Sequence, residues 1–211
     1  MFRFLLLALT ISLAACNTPT TTTTTEEMEN TAEETAQGVS SAASETMAEL
    51  KGDNYVVTTI DGTIKSPRKQ LKGTIEGVDV SINYGSPAVN GRTIYGDLVP
   101  FGKVWRTGAN EATRITFSAP VEVGEEDVEL AAGTYALFTL PASKEEWTII
   151  FNKVSDQWGA YDYDDAKDAA RISGKAQLLD APAERMDFTL GEESVNLKWA
   201  DVMVSFEVEN E

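Results

Sequence analysis

From Tyr55 onward the chain is dominated by alternation of apolar and polar positions. In residues 78–84 (VDVSINY), Val78, Val80, Ile82 and Tyr84 fall on one face and Asp79, Ser81 and Asn83 on the other. A period of two marks a half-buried strand, because successive side chains of extended backbone point to opposite sides. Short β-prone runs recur at 114–117, 121–123, 134–140, 147–151, 186–190, 195–199 and 202–208. Turn residues separate them: Gly85-Ser86-Pro87, Asn90-Gly91, Pro120, Gly124, Gly133, Pro141, Pro182 and Gly191. Strands do not alternate with helices, so no parallel sheet is expected. The pattern predicts a mainly β chain, an antiparallel β-sandwich or barrel-like single domain over residues 53–211. One short helix is predicted at 162–171, where Asp162, Asp164 and Asp165 come early and Lys167 and Arg171 late, as the helix dipole prefers.

Ahead of that domain the pattern is different. Residues 17–25 are mostly threonine and have little to bury. Between 26 and 51, Met28, Ala32, Ala36, Val39, Ala43, Met47 and Leu50 recur at three- and four-residue steps. The stripe is mainly alanine, interrupted by Gly38, and carries seven Glu against Lys51. Residues 16–52 therefore read as a flexible or partly helical tether. Residues 1–15 hold Arg3, an apolar run too short to span a bilayer, and small residues Ala14-Ala15, the layout of a secretory signal. Leu13-Ala14-Ala15-Cys16 resembles a bacterial lipobox, which implies that Cys16 is the lipidated first residue of the processed chain. Asn17 follows it, and not the Asp that commonly retains such proteins at the inner membrane. The expected location is the bacterial cell envelope at the outer membrane, lipid-anchored, with the periplasmic or surface face left open.

Composition narrows the chemistry. The chain has 34 acidic and 17 basic residues, no histidine and one cysteine. A net charge of −17 argues against a nucleic-acid partner, which needs clustered Lys and Arg. Without histidine there is no imidazole base and no His-ligated metal centre, and a lone cysteine allows no internal disulfide or thiolate metal site. No metal or cofactor is expected, and nothing in the sequence sets an oligomeric state. The acids at 162, 164, 165 and 168 do not make a calcium loop, because Ala166 and Lys167 stand where a ligand and a glycine would be needed. The acids around Gly124 read as a solvated hairpin turn.

The densest stretch is 83–113, NYGSPAVNGRTIYGDLVPFGKVWRTGANEAT. Its glycines form neither a phosphate loop nor a dinucleotide fingerprint. Arg92, Tyr95, Trp105, Arg106, Asn110 and Glu111 are what a pocket for a polar or carbohydrate-like ligand would use, with ring faces for stacking and planar donors for hydroxyls or carboxylates. The same residues could instead pin an ordered loop, with Arg106 paired to Glu111 and Trp105 in the core; both readings stay open. Glu111, and after it Asp97, are the acids a hydrolase would draw on here. Ser66-Pro67-Arg68-Lys69 matches S-x-x-K literally, but no S-D-N or K-T-G follows.

The runs GRTIYGDLVPFGKVWRTGANEAT, AAGTYALFTLP, EWTIIFNK and QWGAYDYDDAKDAAR resemble the domain-of-unknown-function (DUF) 2911 family, over about residues 66–171. The resemblance implies a secreted or lipid-anchored protein of a Bacteroidetes-type bacterium. It implies no reaction, since no activity or catalytic residue is established for the family. The six candidate residues lie in the block that carries it, which suits a shared pocket and a shared fold requirement equally. The sequence thus leads to a lipid-anchored extracytoplasmic domain, non-catalytic, that binds a small polar ligand, a glycan or an envelope component. The alternatives are a histidine-independent carboxylate hydrolase of envelope or polysaccharide bonds, and a structural or assembly lipoprotein.

Overall fold

Every strand pair in the computed structural model, which describes residues 50–211, is antiparallel. The expected signal, Cys16 and nearly all of the expected tether lie outside the described residues. The strands are β1 (Leu50–Lys51), β2 (Tyr55–Asp61), β3 (Arg68–Ile75), β4 (Val78–Gly85), β5 (Thr113–Phe117) and β6 (Val121–Val123). They continue with β7 (Val128–Leu130), β8 (Gly133–Pro141), β9 (Glu146–Asn152), β10 (Asp168–Leu190) and β11 (Ser194–Asn210). They form one continuous sheet in the order β1-β2-β3-β4-β5-β8-β9-β10-β11-β6-β7. The mainly β, antiparallel architecture read from the alternation is the one the chain adopts.

In β4 the alternation is realised as expected: Val78, Val80, Ile82 and Tyr84 are buried, while Asp79 is exposed and Ser81 and Asn83 are half-buried. β8 and β9 are covered on both faces. One face joins the main core through Leu137, Trp147, Ile149 and Phe151, and the other buries Phe138 and Ile150 with Ala112 and Ala136 in a second cluster. Val104, Ala160 and Tyr163, from the loops before β5 and after β9, pack against that cluster. Strands buried on two faces lose the polar alternate, which is why ALFTL at 136–140 shows no clean period of two.

The longest elements, β10 and β11, make a bent hairpin. Its first part pairs Lys175–Leu178 with Val202–Ser205, its outer part pairs Asp187–Leu190 with Val195–Lys198, and register shifts fall between them, around Ala183. Ala200, at φ 50°, sits at this corner. Extra residues in one strand bend it and increase its twist, so the runs 195–199 and 202–208 expected as two strands are one strand with a corner. The outer part folds back over β3 and β4: Ala88 bridges Arg185, and the Ser86 hydroxyl donates to the Met186 carbonyl at 2.7 Å. At the far end of β11 the Val208 amide donates to the Glu193 carbonyl at 2.9 Å, returning the strand to the hairpin tip.

The predicted helix at 162–171 is instead one 3-10 turn, Asp165–Lys167, followed directly by β10. Asp164 caps the turn by accepting from the Ala166 amide, and the acid-before-base order survives as Asp165 and Lys167. From Asp168 the chain pairs with β9, and Ala170 and Ile172 alternate inward. A short helix has little stability of its own, so ladder hydrogen bonds and burial of Ile172 prevail over dipole-matched charges. Asp168 is used locally: Asn152 Nδ2 and the Tyr163 hydroxyl both donate to it, and Arg171 pairs with it.

Candidate functional site

The stretch 83–113 is an ordered excursion laid against the sheet. After β4 the Val89 amide donates to the Glu184 carbonyl on β10 at 2.7 Å, and Asn90-Gly91 form a tight turn with φ of 49° and 67°. Positive φ at both central positions is the reason Asn-Gly suits this turn. Ile94, Tyr95 and Val99 then plunge into the main core. Trp105 exchanges backbone hydrogen bonds with Thr139, at 2.8 and 2.9 Å, extending the edge of β8.

At 106–110 the chain turns a corner around Thr107, whose φ of 54° is unusual for a β-branched residue. It is wholly buried; its hydroxyl donates to the Trp105 carbonyl, and its own carbonyl accepts from the Thr113 hydroxyl at 2.7 Å. Gly85 makes the corner's seat. A Cβ there would lie 2.2 Å from the Ala109 carbonyl oxygen, so any side chain at 85 would lift the corner off β4. Asn110 closes the corner at φ 66°, a conformation asparagine tolerates better than most residues.

This corner forms one side of a cleft of about 310 Å³. Five segments meet there: Lys65-Ser66 ahead of β3, the loop 87–92, Leu98-Val99, the corner 105–110, and Trp199 from the bend of β11. Arg92, Trp105, Arg106 and Asn110, four of the six expected ligand residues, line it together. Tyr95 does not: it is 5% exposed, sits edge-on to Trp147, and its hydroxyl donates to the Trp199 carbonyl at 3.3 Å. Burial, and secondarily the Asp201 charge, push its pKa above the usual phenol range. Glu111 does not either. Its carboxylate pairs with Arg68, not Arg106, and its backbone bridges Trp158.

Trp105 belongs to both readings. It is 8% exposed and stacks on Trp199 with ring centroids 5.7 Å apart. Its ring is thus mostly core, with an edge at the cleft. Trp199 Nε1 and Arg106 Nε are buried without a hydrogen-bond partner among the described residues. Burial lowers the Arg106 pKa from its ordinary value, and the Tyr161 phenol partly opposes that shift.

Sequence reasoning passed over three groups. Trp199 read only as a strand residue, because its approach to Trp105 depends on the bend at Ala200. Lys65 had no signal in the sequence. Lys69, Tyr84 and Asp187 form a polar brace: the Lys69 ammonium donates to Asp187 Oδ1 at 2.5 Å and the Tyr84 hydroxyl to the same oxygen at 3.0 Å. Here a signal existed, since Lys69 occupies the apolar face shared by Leu71 and Ile75, and a buried lysine requires a partner. The brace also disposes of S-x-x-K. Lys69, on β3, is held by Asp187, while Ser66, ahead of the strand, lines the cleft.

Among the described residues no group of three or more Cys, Asp or Glu is placed to hold a metal ion, and no helix is long and apolar enough to cross a membrane. The sequence matches the family described as Protein of unknown function (DUF2911) over residues 66–208. The chain belongs to the DUF2911 family. The match extends beyond residue 171, where the motif resemblance ends, and takes in β10 and almost all of β11. The DUF2911 region therefore includes the whole cleft except Lys65. Searches of curated proteins and of solved structures find no significant match to the chain.

Proposed function

We propose that this DUF2911 domain is a non-catalytic binding module, and that the cleft at the 105–110 corner takes a small polar ligand, carbohydrate-like or derived from the envelope. One observation carries the reading. The loop and corner at 87–110 bring planar donors (Arg92, Arg106, Asn110) and an indole edge (Trp105) to one concave site closed by the distant Lys65 and Trp199, and the Nε of half-buried Arg106 has no partner among the described residues. Binding is preferred to carboxylate hydrolysis because, among the described residues, no Asp or Glu lines this cleft, and Glu111 is engaged by Arg68.

Replacing Trp105 would confuse binding with folding, given its burial. Asn110→Gly keeps the left-handed backbone and deletes the amide. A thermal-shift screen with neutral sugars, acidic sugars, amino acids and envelope glycan fragments should find compounds that raise the wild-type melting temperature and no longer act on Asn110→Gly. A panel without stabilising compounds, or with compounds acting equally on both proteins, refutes the cleft as the site.

The location belongs to the same proposal. Leu13-Ala14-Ala15-Cys16 supports lipid attachment at Cys16 and residence at the outer membrane of a bacterial envelope. A lipid-anchored N-terminus of several acyl chains holds a protein on a bilayer far more firmly than one chain does. Cys16→Ser should move the protein from the membrane to the soluble fraction; retention on the membrane would count against the anchor.

A further inference from the structure

Six arginines lie in the described residues, and five have partners there. Arg68 pairs with Glu111, Arg114 with Asp156 and Arg171 with Asp168. Arg92 donates to the Ala88 and Val89 carbonyls, and Arg185 to the Ser86 carbonyl. Arg106 has no side-chain partner among the described residues, although its Nε is fully buried. A partly desolvated charge without a counter-charge is unfavourable, and a ligand group of opposite charge would relieve that cost.

The surroundings point to what completes it. The chain carries twice as many acids as bases, yet among the described residues the cleft is lined by Lys65, Arg92 and Arg106 and by no Asp or Glu. Two nearby carboxylates are already engaged: Glu111 by Arg68, and Glu184 by the Asn90 amide at 2.9 Å. Asn110, Ser66 and Asn90 add neutral polar groups to the lining.

Resting on the binding reading above, we propose that the ligand is an anion, a small polar molecule bearing a carboxylate or phosphate that the Arg106 guanidinium binds, with Lys65 and Arg92 adding positive field at the rim. A guanidinium presents parallel N–H donors that match either group in a fork.

Titration calorimetry on the full chain with glucuronate, glucose 6-phosphate and glucose separates the cases, because the three share a ring and differ in charge. At least one anion should bind about tenfold or more tightly than glucose. The preferred anion shows whether the group is a carboxylate or a phosphate. Arg106→Gln should bring that affinity down to the level of glucose, and Arg106→Lys should restore part of it. Lys65→Gln and Arg92→Gln should weaken it less, and Arg114→Gln not at all. Without ligand, Arg106→Gln should melt no lower than wild type, since it removes a charge that has no partner among the described residues.

Glucose binding as tightly as both anions overturns the inference and leaves the cleft reading intact. Anion binding that survives Arg106→Gln places the anion elsewhere and also overturns it. Failure of all three probes overturns it too, while the wider screen with Asn110→Gly decides separately on the cleft. A marked loss of melting temperature in ligand-free Arg106→Gln would make Arg106 a structural residue and the inference wrong.

Discussion

Replacing Asp187 by asparagine tests how the outer part of the β10–β11 hairpin is held over β3 and β4. Asp187 receives the Lys69 ammonium at 2.5 Å and the Tyr84 hydroxyl at 3.0 Å, with side chains 10% exposed at Lys69 and 20% at Asp187. The substitution keeps shape and removes charge, leaving the Lys69 ammonium buried against a neutral amide. Breaking one side of a buried ion pair costs about 3–5 kcal/mol, and the residual water access at Asp187 favours the lower end, about 3 kcal/mol. For a domain of this size that is a fall in melting temperature of about 6–12 °C. Urea unfolding and thermal melts, followed by tryptophan fluorescence, would measure it. The double variant Lys69→Met/Asp187→Leu should lose much less than Asp187→Asn, because replacing both partners by apolar groups removes the desolvation penalty as well as the attraction. Tyr84→Phe should lose about 1.5 kcal/mol, one hydrogen bond to a charged acceptor. An Asp187→Asn protein within about 0.5 kcal/mol of wild type, or a double variant as unstable as the single one, would refute the brace. Because Trp199 reaches the cleft through the same hairpin, Asp187→Asn should also weaken any ligand that the cleft binds.

Other expectations follow from single contacts. Gly85→Ala places a Cβ 2.2 Å from the Ala109 carbonyl oxygen; the corner must shift, at about 1–3 kcal/mol, and cleft affinity should fall more than stability, as calorimetry and melts together would show. Phe138→Ala empties a fully buried position in the second cluster and should destabilise by about 3–5 kcal/mol in urea. High pH should act through the tyrosines. Burial raises the phenol pKa of Tyr84, Tyr95, Tyr135 and Tyr163, the last to about 12, with Asp168 adding to the effect there. A group raised in the fold favours it below the unfolded value and loses that contribution as pH climbs toward the folded one. Stability should therefore decline from about pH 10 to 12, and spectroscopic titration should show fewer phenolates in the folded chain than in urea at the same pH. Full phenolate formation in the folded protein at about pH 10–11 would contradict the burial of these rings.

Much of the architecture was legible without coordinates because strands write their burial in a local code. Val78, Val80, Ile82 and Tyr84 sit inward because alternation along one strand places them there, and Asn90-Gly91 turns because its residues accept positive φ. The helix expected at 162–171 shows the limit of such reasoning: dipole-matched charges are local, whereas the pairing of Ala170 with Phe151 that draws the chain into β10 is not. The candidate residues divide in the same way. Residue type and density picked out 83–113, but whether a side chain lines a cleft or fills the core depends on what folds over it. That sent Tyr95 inward and Glu111 to Arg68, and left Arg106 without a partner among the described residues. By itself the sequence determined the antiparallel β class, the runs that become β4 to β6, β8 and β9, the turns between them, the acidic composition and the absence of imidazole chemistry, since each depends on a residue and its near neighbours. Only the tertiary structure decided the cleft, its cationic lining and the Lys69–Asp187–Tyr84 brace. Those depend on a hairpin bent at Ala200 that lays residues about a hundred positions away across the sheet, and no local pattern encodes that distance.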